Sequence, residues 1–156
     1  MSMGSEASSH PALGYTDRFA TSAGDAILLV SRVLLGWMFL VQGWSKLINI
    51  PAFAAYLNNL KVPNAGFWAW IASLAEFFIG IALILGIATR YAALFTFVYL
   101  IIATALAHRY WEYPQAQQTN QFNHFLKNLA LMGGAAIIFV TGAGRFSVDR
   151  LLARRR

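Results

Sequence analysis

Cysteine is absent from the 156-residue sequence. Disulfides, cysteine-ligated zinc, iron–sulfur clusters and any thiol nucleophile or persulfide carrier are therefore excluded as properties of this chain. Any redox chemistry must use a bound molecule or a partner subunit. Charge is scarce as well: Asp, Glu, Lys and Arg make up 12% of the residues, against about 25% in an average soluble domain. Half the usual charge leaves too little polar surface to keep a chain of this length dissolved. Acidic residues are the scarcer sign, six against twelve basic ones, giving a formal net charge of +6. A nucleic-acid binder would present such an excess as a patch on a water-facing surface. Here the basic residues are scattered between apolar blocks, with five of them in the last twelve residues, so nucleic acid is not the expected partner. What is abundant is apolar surface, at 58% of the sequence, and the lipid bilayer is the expected surrounding.

Residues 1–25 are rich in Ser, Ala and Gly, include Pro11, carry mixed charge and contain no apolar run. That composition predicts a flexible tail, without the features of a signal peptide. Four apolar blocks follow, near 26–48, 65–87, 91–107 and 122–141. Each is about 17–23 residues, the length that crosses a hydrocarbon core of roughly 30 Å at about 1.5 Å per residue. The fold expected is an all-α integral membrane four-helix bundle of up-down-up-down topology over residues 26–144, followed by a basic tail over 145–156.

Orientation is read from Lys and Arg. Arg18, Arg90, Arg145, Arg150, Arg154, Arg155 and Arg156 fall on one side of the membrane, and only Lys61 and Arg109 on the other. The positive-inside rule then places both termini in the cytoplasm. The first outside loop opens with Pro51 and spaces Phe53, Tyr56, Leu57 and Leu60 at helical intervals before Pro63. This predicts a short interfacial helix. The second outside loop, roughly 109–121, carries Tyr110, Trp111 and Tyr113, aromatics of the interface-anchoring kind. Small residues inside the spans (Gly36, Gly43, Ala72, Ala75, Gly80, Ala130, Gly133, Gly134 and Ala135) are expected at helix contacts in the bundle interior. The pair Gly142 and Gly144 follows a spanning helix and so is no dinucleotide fingerprint.

Polar groups at membrane depth bear most directly on function. Arg32, Gly36, Phe39, Gly43 and Lys46 recur at steps of three and four, hence on one face of the first span, with Gln42 beside it. Arg32 and Lys46 lie about 21 Å apart along the helix, so snorkelling to opposite interfaces would explain both equally well. Glu76 is different, because it sits about 18 Å or more from either end of the second span, beyond the reach of its side chain. A carboxyl there costs about 2.5–3.5 kcal/mol to insert and must be protonated, paired or facing water. Arg32, Lys46 and Lys127 are its candidate partners. A structural ion pair and a proton-accepting or ligand-binding carboxyl are the two readings open for it. Near the outer surface His108 ends the third span, while His124, Lys127 and Asn128 open the fourth on one face. With Gln42 and Lys46 they would form a donor-rich ring above Glu76, suited to an anionic or carbonyl-bearing ligand such as a quinone head group or a small sulfur oxyanion. Two histidines without a nearby carboxylate do not make a metal site.

These residues resemble the DoxX family of small four-helix bacterial inner-membrane proteins. The run Arg32-x3-Gly36-x6-Gly43-x2-Lys46, then Val62-Pro63, Glu76 with Gly80, and Leu85-Gly86-x2-Thr89-Arg90 carry the likeness. It continues through His108-Arg-Tyr-Trp111, Phe125-x-Lys127-Asn128 and Gly142-x-Gly144-x2-Ser147-x-Asp149. The resemblance implies a redox setting, since the namesake is a subunit of a thiosulfate:quinone oxidoreductase. Two roles follow as expectations: a quinone-linked membrane subunit in which Glu76 handles a proton and Arg32, Gln42, Lys46, His108, His124, Lys127 and Asn128 bind the ligand, or a noncatalytic scaffold docking a soluble redox partner. Self-association is compatible with both. A small-solute carrier fits less well, because four short spans carry no repeat and no broken helix.

Overall fold

The computed structural model describes residues 11–154, with side chains from residue 14 onward. Six α-helices and one 3₁₀ turn account for almost all of them, and no strand is present among the described residues. The helices are α1 (Pro11–Leu47), α2 (Ile50–Asn59), α3 (Ala65–Leu85), α4 (Thr89–Ala107), α5 (Gln115–Thr141) and α6 (Val148–Ala153), with the 3₁₀ turn at Tyr110–Glu112. Four of them, α1, α3, α4 and α5, are long and apolar enough to cross a membrane. They alternate in direction, so one end of the bundle holds the α3–α4 turn with the chain ends, and the other holds α2 and the 3₁₀ turn. These are called the terminal end and the loop end.

Two boundaries differ from the sequence expectation. The helix α1 begins at Pro11, so residues 11–25 are not a flexible tail; residues 1–10 lie outside the described part. Pro at a first turn is compatible with a helix, and Gly14 and Gly24 lower helix propensity in this stretch without abolishing it. At 37 residues α1 is about 55 Å long and projects well past a hydrocarbon core of about 30 Å. Likewise α5 begins at Gln115, within the stretch expected to be loop up to residue 121. Pro114 precedes it and Gln is a good helix former, so the polar turns extend the span beyond the apolar block. The expected interfacial helix is present as α2, with Pro51 in its first turn and the Asn49 side chain accepting the Ala52 N–H.

The α1–α3 contact is the closest in the bundle, and glycine makes it possible. Atoms of α3 lie so near Gly36 and Gly43, and atoms of α1 so near Gly80, that a methyl group on any of the three would overlap backbone. By contrast Gly133 and Gly134 of α5, expected at helix contacts, face open space. The inward face of α5 is set by Asn128, Met132, Ala135 and Ile138, and the glycines fall beside it. Above the terminal end the core is apolar and closed, built from Leu35, Phe39, Ile79, Leu83, Ala93, Leu100, Met132, Ala135 and Ile138.

The terminal end is tied by polar contacts from the stretch read in the sequence as a basic tail. Residues 145–154 fold back instead; Arg155 and Arg156 lie outside the described part. Asp149 of α6 accepts the backbone N–H groups of Ala88 and Thr89 at 2.7 and 2.9 Å, and its own N–H donates to the Gly86 carbonyl at 3.0 Å. A carboxylate here satisfies the free N–H groups at the start of α4 and complements its dipole. Replacing Asp149 with Ala is expected to lower stability by about 1–2 kcal/mol, read as a drop in thermal midpoint in detergent. Gly86 sits at φ 68° as the last-residue cap of α3, in direct contact with the Arg32 guanidinium. Both conditions favour glycine: the left-handed backbone and the missing Cβ.

Candidate functional site

Arg32 and Lys46 take different roles, set by the 14 residues between them on α1. Arg32 is fully buried at the terminal end, where it donates from Nη1 to the Leu83 carbonyl at 3.3 Å and from Nη2 to the Phe146 carbonyl at 2.5 Å. It therefore neither pairs with Glu76 nor joins the ligand set expected for it. A guanidinium that joins a carbonyl at the C-terminal end of α3 to one just ahead of α6, its Nε left without a partner, is a structural clamp, favoured by the partial negative charge of the α3 end. Lys46, in the last turn of α1, reaches Glu76 across the glycine contact.

Glu76 is the centre of the polar cluster. Lys46 Nζ donates to both of its carboxylate oxygens at 2.5 Å, and the Tyr99 hydroxyl donates to Oε1 at 2.5 Å. The Glu76 side chain is only 8% exposed, so this pairing is what allows the charge at that depth. The face of α3 that carries Glu76 also buries Ser73, whose hydroxyl donates to the Ala69 carbonyl, and Gly80. Tyr99 is held by α4 with its ring edge-on to Phe39, centroids 6.3 Å apart. Lys46 also stands 4.8 Å from the Phe53 ring centroid, so α2 closes over the cation.

A cavity of about 710 Å³ opens from this cluster toward the loop end. Gln42, Lys46, Glu76, His108, His124, Lys127 and Asn128, all expected in the site, line it together; Arg32 does not. His108 and His124 stack with ring centroids 5.1 Å apart, and His108 Nδ1 lies 2.8 Å from the Gln121 amide oxygen. Asn128 is buried and donates to the Thr104 hydroxyl at 2.9 Å. Lys127 has no carboxylate partner among the described residues, so the cavity carries one cation beyond the Lys46–Glu76 pair. Most of the remaining wall is aliphatic or aromatic.

The sequence reading missed Tyr99, Tyr56 and Trp68, which also line the cavity. Tyr99 lay within an apolar block and was read with it. The available signal was that a phenol in mid-span needs a hydrogen-bond partner, and Glu76 lies on the neighbouring helix. Tyr56 belongs to the roof, close to Tyr113. Burial first, then the neighbouring Tyr113, push the Tyr56 phenol up to about 12. It is therefore a neutral hydroxyl at any physiological pH, and the roof contact does not titrate there.

A family model described as DoxX matches residues 27–109, more than half of the chain. The inner membrane protein YqjF of Escherichia coli strain K12 is 34% identical over 131 residues, covering 84% of this chain and 95% of its own length. The inner membrane protein YphA of the same organism is 28% identical over 130 residues, covering 83% and 92%. An uncharacterized membrane protein of Mycobacterium tuberculosis, Rv3486, is 26% identical over 152 residues, covering 88% of each chain. No solved structure gives a significant match.

Proposed function

Since the chain belongs to the DoxX family, with relatives that are inner membrane proteins, we propose that its cavity binds a quinone head group and that the protein is the quinone-linked membrane subunit of a redox system. The observation that carries this reading is the Glu76 carboxylate, held by Lys46 and Tyr99 at the floor of a largely apolar cavity at membrane depth. Ligand sites are typically about 300–1,000 Å³, apolar, with a few convergent polar groups, and this cavity has that character. Its polar groups also suit a carbonyl-bearing ring: two phenols, two ammonium groups, two amides and two imidazoles on one concave surface.

A quinone, when bound, supplies the capacity to carry two electrons and two protons. The chain supplies the rest. Lys46 and Lys127 provide positive charge beside a carbonyl oxygen, which favours any negative charge that develops there. Glu76 offers a carboxylate oxygen as proton acceptor, and Tyr99 bridges it to the cavity. His108 and His124, with Gln121 bonded to His108, are the titratable and polar groups available to carry a proton at the loop end. Below Phe39, toward the terminal end, the packing is dominated by the buried apolar residues Leu35, Ile79, Leu83, Ala93, Ala135 and Ile138. Orientation belongs to the same proposal: the Arg distribution puts the terminal end in the cytoplasm, so proton exchange takes place with the opposite side.

Binding is tested by titrating a short-chain quinone into the purified protein while following tryptophan fluorescence, with Trp68 in the cavity wall. Saturable quenching is expected for the wild type. Glu76→Gln is expected to weaken it by about tenfold or more, because the Lys46 ammonium and the Tyr99 hydroxyl, the groups able to donate to a quinone carbonyl, lose the carboxylate that holds them in place. Unsaturable quenching that is identical in both proteins would count against the reading.

A further inference from the structure

The cavity has a second opening besides its polar end. Trp68 and Ile71 on α3, and Phe95, Val98, Ile102 and Leu106 on α4, line it and are each between 43% and 54% exposed. On α4 these residues follow steps of three and four, so they form one stripe along the helix. Residues that face both a cavity and the outside are the rim of a gap. The other borders differ. The α1–α3 side is sealed by the glycine contact. On the α1–α5 side the cavity is bordered by Gln42 and Lys127, polar groups unsuited to hydrocarbon. The roof is fastened by the Tyr113 hydroxyl donating to the Ala107 carbonyl at 3.0 Å and by Lys46 standing 4.8 Å from the Phe53 ring of α2. The α3–α4 gap lies between two membrane-spanning helices and therefore faces lipid tails, and its rim is wholly apolar.

We propose that the ligand reaches the site sideways from the bilayer through the α3–α4 gap, and that its class is a polar head bearing a long hydrocarbon tail, which stays between these helices. The proposal rests on the quinone reading and sets where the tail lies. A head entering this way meets Tyr99 and Glu76 directly, while its tail exchanges bilayer lipid for Phe95 and Ile102 without crossing water. Access through the roof would instead require α2 to lift and the tail to pass through the interface.

The test uses the full-length protein in lipid nanodiscs with a quinone whose decyl tail ends in a diazirine, followed by illumination, digestion and mass spectrometry. Adducts that excess unlabelled decyl-quinone removes are expected on Trp68, Ile71, Phe95, Val98, Ile102 or Leu106. Competed adducts confined to α2 or the 3₁₀ turn would overturn the sideways route while leaving the quinone reading in place. Competed adducts nowhere on the chain would overturn both. A second measurement is the rate of decyl-quinone binding to Ala103→Trp, which puts an indole beside the α4 stripe. It is expected to fall by about tenfold or more; a folded variant binding at the wild-type rate would contradict the route.

Discussion

Gly43→Ala is expected to leave little folded protein, with a loss of about 3 kcal/mol or more. A Cβ at this position would stand 2.4 Å from the Phe77 nitrogen and 2.8 Å from its Cα, both backbone atoms of α3. No rotamer change relieves a clash with backbone, so α1 and α3 must separate. In lipid, where apolar side chains gain little by leaving their surroundings, that close approach is a principal source of helix association. The damage also reaches the site, because Lys46 lies one turn along α1 from Gly43 and Glu76 precedes Phe77 on α3. Thermal unfolding in detergent measures the loss, with Gly66→Ala as the comparison. Gly66 faces open space in the first turn of α3, and Ala there is expected to be neutral or stabilising by about 0.5–1 kcal/mol. Equal midpoints for Gly43→Ala and wild type would contradict the packing described here.

The Lys46–Glu76 pair gives the second large effect, and the two single variants should differ in size. Lys46→Met leaves the nearly enclosed Glu76 carboxyl without its counter-ion, to remain charged or take up a proton at depth. Breaking a buried pair in this way costs about 3–5 kcal/mol. Glu76→Gln should cost less. Lys46 is 25% exposed and in the last turn of α1, so its long stem can carry the ammonium toward the interface. The variant glutamine still accepts from Tyr99. The double variant Lys46→Met with Glu76→Gln is expected to recover most of the loss of Lys46→Met, because no unpaired charge remains. Equal costs for both single variants, adding without recovery in the double, would show that the pair is not coupled as the geometry requires.

Much of this was legible in the sequence because membrane length and reach are simple constraints. Block length gave the four spans. Reach singled out Glu76 as the acid that could not snorkel, and helical spacing put Lys46 on the glycine face. The choice among Arg32, Lys46 and Lys127 as its partner was not legible. It depends on which turn of α1 lies level with Glu76, and that is set by where Gly43 and Gly80 meet backbone. Composition misled at the ends of the bundle. Residues 11–25 and 115–121 lack apolar periodicity, yet each continues a helix whose register is established by the adjoining span. The fold-back of residues 145–154 turns on Asp149 meeting the α3–α4 turn and on Arg32 meeting the Phe146 carbonyl, long-range contacts with no local signature.

The most direct test of the central claim is the quinone content of protein taken from its own membranes. Wild type and Glu76→Gln, purified in mild detergent and extracted with organic solvent, are compared by mass spectrometry. Quinone approximately stoichiometric with the wild-type protein and depleted in the folded variant is the expected result. Wild-type protein free of quinone, or equal amounts in both, would contradict the assignment of the Glu76 cavity as a quinone site.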